Sequence, residues 1–428
     1  MPLVPGYFRN FLAAALAALG SLCLSAAAHG QAARPAQDPA LAVVKRCRPL
    51  DFAAKRDCYS AALDERLASG GPAAALQLLD RLAALDSDAL RQGHFYAHRI
   101  GISALKSPAE VGRVFAACTP AFESGCYHGV IQSYFIAAQR DGGGISTASV
   151  DALCGGYRGT RADLLFQCTH GLGHGLTILR SHDLPQALLS CDLLSREPER
   201  EMCYAGAFME SLVHAEDPGS ISTADEHGSM GMGGSAQHDH HAPPVDLSAG
   251  AAPAKPFRAL DPADLHYPCS RLDEKYLIAC YTIQTSAMLQ QNGHDVAGAA
   301  IECGRAPEKA RATCFLSLGR DVSTIALKDH AEAVRLCDLA EPAFRPACHE
   351  GVVKSIVNMN ANPAEGIPYC RAVAEDASKR ACYVAVGLQS LGLPEGQAKR
   401  EQACRLAEAG MVEACLDGPA PPAPGGDR

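Results

Sequence analysis

The 428-residue sequence contains no tryptophan and only 6% aromatic residues, and its net charge is -9 with no block of lysines or arginines. Without a basic stripe to neutralise phosphates, nucleic acid is excluded as a partner. Beyond the N-terminus no segment stays apolar over the ~18 residues that a spanning helix needs, so no membrane span is expected in the mature chain. The chain also lacks Cys-x-x-Cys, a Gly-x-Ser-x-Gly elbow, a Walker loop, His-Glu-x-x-His and a Cys-x-x-Cys-His haem attachment site. Their absence removes the usual thiolate zinc knuckles, serine hydrolases, nucleotide-phosphate binders and zincin proteases as readings.

What is present begins with an export signal. Arg9 precedes an apolar run from Phe11 to Leu24 and then the small residues Ala26 to Ala28. This is the pattern of a secretory signal peptide over 1–28, cleaved near Ala28 and followed by a leader over 29–40. Leu22 stands directly before Cys23, where a lipoprotein signal wants a small residue, so lipidation is not expected. The expected location is exported, periplasmic or extracellular.

Eighteen further cysteines suit an oxidising compartment. They fall into successive couples, Cys47 with Cys58, Cys118 with Cys126, Cys154 with Cys168, Cys191 with Cys203, Cys269 with Cys280, Cys303 with Cys314, Cys337 with Cys348, Cys370 with Cys382, and Cys404 with Cys415. Read as disulfides, each closes a short loop and stabilises the chain by about 3 kcal/mol in the chain-entropy model.

First cysteines at 269, 303, 337, 370 and 404 repeat every 33 or 34 residues. A period of this size marks a solenoid. Within each unit one helix ends near the first cysteine. A short loop follows, and a second helix opens around the second cysteine with a small or apolar face such as Val352, Val353, Ile356 and Val357. The wide gap between Cys47 and Cys118 leaves room for a cysteine-free hairpin over 75–106. The gap between Cys191 and Cys269 holds an insertion over 217–259, rich in Gly, Ser, Pro and His, which is expected to be a mobile loop.

This organisation resembles a tetratricopeptide-type α-solenoid, and more closely the cysteine-rich bacterial repeat proteins in which each helical hairpin carries a disulfide. The resemblance rests on period and cysteine pairing across residues 40 to 417, without the Trp and Pro positions of the tetratricopeptide consensus. It implies a curved surface for holding a partner. The expected fold is therefore all-α, a right-handed α-solenoid of about ten hairpins, most stapled by one disulfide. Helical repeats carrying a histidine cluster occupy 41–216, regular 34-residue repeats occupy 260–417, and a Pro/Gly-rich tail runs over 418–428.

Aligned on their second cysteines, the repeats read CYHGVIQS from Cys126, CTHGLGHG from Cys168, CYAGAFMES from Cys203 and CHEGVVKS from Cys348. His128 and His170 share one register. The cysteine-free hairpin supplies His94 and His98 at the same spacing as His170 and His174, four residues apart and so on one helix face. Adjacent hairpins thus present five imidazoles at equivalent heights, with Glu210 of the next hairpin near the edge; the C-terminal hairpins offer only His349 near that register. Such convergence is what a transition-metal site requires. Glycines at 129, 171, 173, 175 and 206 each cost ~0.5 to 1 kcal/mol against alanine in a helix interior, and close helix approach is the expected reason for them.

The insertion holds a second candidate set, His227, Met230, Met232, His238, His240 and His241, whose imidazole and thioether donors favour copper. The Ser181-His182-Asp183 triplet hints at the dyad of helical metal phosphohydrolases. A helix cap by Asp183 ahead of Leu184-Pro185 explains that residue more simply. Glu197, Glu199 and Glu201 read as a solvated helix end.

The function expected from these residues is transition-metal binding, with copper, zinc or iron as the ion. The chain would be a metal-handling protein or, where a coordination position stays open, a metal-dependent hydrolase or oxidoreductase. The alternative is a metal-free scaffold that holds an envelope protein or peptide on its surface, with its histidines packed as neutral tautomers.

Overall fold

The computed structural model describes residues 38–140, 147–216 and 257–418; the expected signal peptide, the His/Met residues of the insertion from His227 to His241 and nearly all of the C-terminal tail lie outside them. Among the described residues every regular element is helical. In chain order the α-helices are α1 (Pro39–Cys47), α2 (Phe52–Leu85), α3 (Ser87–Arg91), α4 (Gly93–Ala104), α5 (Val111–Ala116), α6 (Gly125–Arg140), α7 (Thr147–Gly155), α8 (Ala162–Leu179), α9 (Leu184–Cys191) and α10 (Glu197–Glu216). They continue with α11 (Leu277–Tyr281), α12 (Gln284–Gln291), α13 (Val296–Arg305), α14 (Glu308–Ala326), α15 (His330–Cys337), α16 (Arg345–Asn360), α17 (Gly366–Ala372), α18 (Asp376–Leu391), α19 (Gly396–Cys404) and α20 (Val412–Asp417).

All nine cysteine couples form disulfides, each across one helical hairpin, with Cα separations between 5.4 and 5.7 Å. Those separations sit in the middle of the range a disulfide spans. The cysteine-free hairpin is also present. Gly71, at φ 75°, breaks α2, and Pro72 restarts it, so the hairpin consists of the second half of α2 with α3 and α4. In place of a disulfide its turn relies on Asp86, whose carboxylate accepts from the Asp88 and Ala89 amides and from Arg48 Nε at 3.0 Å.

Second helices of successive hairpins lie side by side, α4 on α6 on α8 on α10 and then α12 on α14 on α16 on α18 on α20, while the shorter first helices form the other layer. Asp183 caps α9 by accepting from the Gln186 amide at 3.1 Å, as a cap ahead of proline should. Across the insertion the two runs of repeats meet directly. Tyr276 Oη donates to Asp192 at 2.8 Å, Lys275 pairs with the same carboxylate at 2.7 Å, and the Tyr204 and Tyr276 rings meet edge to face. Phe257, at the end of the expected insertion, is folded back and stacks on Tyr267.

One feature departs from the sequence reading and another adds to it. Glu199 is not a solvated helix-end residue: it is 4% exposed and accepts from Arg158 Nε at 2.9 Å, while the same guanidinium reaches Asp151. Its neighbours Glu197 and Glu201 are exposed and half-buried, because successive odd positions rotate around the helix and only one meets Arg158. The second, on which the sequence was silent, is that the row of repeats closes on itself. Phe122, Glu123 and Ser124 all take the left-handed conformation. The Phe122 and Glu123 amides donate to the carbonyls of Met359 and Asn358, at 2.7 and 3.0 Å, and Ser355 Oγ donates to Glu123. Arg91, the last residue of α3, also donates to the Thr324 carbonyl, so the turns ahead of α4 and α6 meet the ends of α14 and α16.

Candidate metal centre

The histidine-bearing helices α4, α6 and α8 lie next to one another because glycine removes the side chains that would hold them apart. A Cβ on Gly129 would stand 2.0 Å from the His98 carbonyl oxygen, and one on Gly101 would strike the Cys126 carbonyl. On the next pair, a Cβ on Gly206 would stand 2.0 Å from the His170 carbonyl, and one on Gly173 would strike that of Cys203. Gly171 and Gly175 receive Ile131 and Phe135 instead. Contacts this close permit Cα–H···O interactions between helices, and they fall at the backbone of the histidines themselves. The glycine cost noted in the sequence thus has its reason in the spacing of α4, α6, α8 and α10.

The five imidazoles meet. Ring centroids separate by 5.8 Å for His94 and His98, 5.6 Å for His94 and His128, 4.6 Å for His128 and His170, and 5.2 Å for His170 and His174. Across the middle, His98 and His174 are 5.4 Å apart and His128 and His174 are 5.1 Å apart. His98, His128 and His174 each offer a ring nitrogen within 4.8 Å of the others, a buried group that can hold a metal ion. His94 is half-buried at the edge, where its Nδ1 lies 2.9 Å from the Phe122 carbonyl, and Phe166 stacks over His170.

Hydrogen bonding leaves this group unsatisfied in a specific way. Neither ring nitrogen of His128 has a partner, nor does His174 Nε2, although all three atoms are buried. Leaving a buried polar atom unpaired costs ~1 to 3 kcal/mol. The other face of His174 is satisfied: Nδ1 lies 2.9 Å from Glu210 Oε2, and Glu210 is fully buried. Glu210 therefore stands behind His174, where it orients the ring and leaves Nε2 directed inward.

Burial decides the charge states. Removal from water holds the imidazoles of His98, His128 and His170 well below their ordinary value and takes His174 down to about 3. Desolvation pushes the Glu210 carboxyl up to about 7. At neutral pH His98, His128, His170 and His174 are uncharged nitrogen donors, the form in which imidazole ligates.

Gln132 and His214 were missed in the sequence, and His182 was noted only beside Asp183. Gln132 is completely buried one turn after His128, with both amide atoms unpaired. Its signal was available, since His128 and Gln132 repeat the spacing of His94 with His98 and of His170 with His174. His182 and His214 stack against each other at the ends of α8 and α10. They lie far apart in sequence and outside the repeat register, so nothing in the chain linked them. Comparison with protein-family models, with curated proteins and with solved structures finds no match to the chain.

Proposed function

We propose that this chain is a transition-metal-binding protein whose ion is held between α4, α6 and α8 by His98, His128 and His174, with His94 and His170 completing or flanking the shell. One observation carries the reading: three buried imidazoles share a space while His128 and His174 keep inward nitrogens that no protein group satisfies. A metal ion supplies the missing partner. Three neutral imidazoles suit zinc, copper or iron, and a three-histidine set leaves coordination positions free for water or a redox substrate. Glu210 behind His174 is the carboxylate–histidine pairing by which outer groups fix a ligand's tautomer.

The nine disulfides suggest an oxidising, extracellular setting, and no helix among the described residues is long and apolar enough to cross a membrane. With the signal-peptide pattern over 1–28, this supports export to the periplasm, where the protein would handle or use the metal. The test is elemental analysis of untagged full-length protein beside His128→Ala/His174→Ala. One equivalent of a transition metal present in the first and lost in the second is the expected result. Equal metal in both after reconstitution contradicts the reading.

A further inference from the structure

Glu210 has a second oxygen, Oε1, which is buried and has no partner. One turn further along the same face of α10, ~6 Å along the axis, stands His214. Its imidazole lies face to face with that of His182, with centroids 3.5 Å apart and planes inclined by 5°. Neutral aromatic rings avoid this eclipsed sandwich and prefer offset or edge-on contacts at 4.5–7 Å. His182 reaches the position from a strained backbone: Ser181 and His182 both have positive φ, 52° and 60°. Its Nδ1 is buried without a partner. The pair lines an open cleft of about 510 Å³, together with Asp183, Arg180 and Phe257. Two imidazoles held together against their own preference, one with an unpaired buried nitrogen, face solvent on one side and Glu210 on the other.

We infer that His182 and His214 form a second, outer transition-metal site, through which ions from the cleft reach the buried histidines past Glu210. A tetrahedral ion with ~2.0–2.1 Å bonds places two ligand nitrogens ~3.3 Å apart, which the rings reach by turning out of the stack so that their in-plane lone pairs converge on the ion. Water in the cleft completes the shell, so the ion is held loosely and can be passed on. Glu210, with one oxygen at His174 and the other free, is the only carboxylate that touches the buried ligands among the described hydrogen bonds and ion pairs. The transfer role rests on the buried centre proposed above; the outer site does not.

Equilibrium dialysis of the full-length protein against micromolar Co²⁺ separates the two. Four proteins are compared: the native chain, His214→Phe, His128→Phe/His174→Phe, and all three substitutions together. The His214→Phe change should remove one Co²⁺ per chain in either background, whether or not the buried centre binds. His182→Asn, which suits the left-handed backbone there, should repeat the loss. No loss from His214→Phe or from His182→Asn in folded protein overturns the outer site. The fate of the buried centre is read independently, from the native chain against His128→Phe/His174→Phe. In stopped-flow loading, His214→Phe should slow the appearance of the buried-site Co²⁺ absorption at least tenfold while leaving its final amplitude unchanged. An unchanged rate overturns the transfer role.

Discussion

Glu210 Oε2 lies 2.9 Å from His174 Nδ1, with both side chains sealed from solvent. The carboxylate fixes which nitrogen of His174 is turned inward. Outer groups of this kind are worth 10- to 100-fold in metal affinity. Glu210→Gln should therefore weaken binding by about that factor while leaving the fold intact. Chelator competition gives the affinity and circular dichroism the fold, and unchanged affinity would show that the carboxylate does not orient the ligand.

Gly129 offers a sharper steric test. A methyl group there would collide with the His98 carbonyl, so Gly129→Ala must push α4 and α6 apart. Overpacking of this kind costs ~1 to 3 kcal/mol, and the shift falls on two of the proposed ligands. Gly112→Ala is the control, since nothing lies within 4 Å of its added carbon, and it should be neutral or stabilising by ~0.5 to 1 kcal/mol. Urea unfolding of both variants measures the contrast, and similar midpoints would contradict it.

The acid response follows from the buried imidazoles. His349, which lies 2.5 Å from Tyr369 Oη, is pushed down to about 4 by burial, and His174 to about 3. Unfolded histidine takes up its proton near pH 6.5, before the folded protein does. The unfolded state thus binds more protons below that value, and each such imidazole removes about 1.4 kcal/mol of stability per pH unit. Glu210 acts in the opposite sense between its ordinary range and pH 7, because its folded carboxyl holds the proton longer than the unfolded one. One carboxyl opposes several imidazoles, so the chelator-treated protein should lose stability steadily from pH 6.5 to 4. Urea midpoints that stay flat over this interval would refute the expectation.

The hairpin without a disulfide depends on Asp86. Its carboxylate caps α3 and holds Arg48 of the preceding hairpin while being 6% exposed. Asp86→Ala should cost ~1 to 3 kcal/mol, combining a lost cap with an unpaired buried donor. Hydrogen exchange should show the loosening concentrated in α3 and α4. Uniform exchange across the chain would mean that the turn is held elsewhere.

Helical hairpins, their disulfides and the approach of α4, α6 and α8 were all legible in the chain, because each is written as a local spacing. Cys303 and Cys314 lie one hairpin turn apart, and His94 with His98 needs only the helical period to share a face. Glu210 was readable as a neighbour of the cluster but not as the partner of His174, since that depends on the rotation of α10 against α8. The contact of His182 with His214 joins two helix ends that no period relates. The left-handed turn at Phe122, Glu123 and Ser124 was hidden for a different reason: bulky residues disfavour that conformation, and only the carbonyls of Met359 and Asn358 across the row reveal what holds it.

That clasp limits how this molecule can change in length. An open array tolerates the gain or loss of a unit, because each contacts only its neighbours. Here the hairpins between Phe122 and Met359 complete a circuit, and the angle turned at every step must add up to bring those two backbones within 2.7 Å. Deleting one hairpin from the circuit would leave a gap the width of a helix, and duplicating one would make the ends overlap. The repeat count is therefore part of the geometry, as the number of staves is in a barrel.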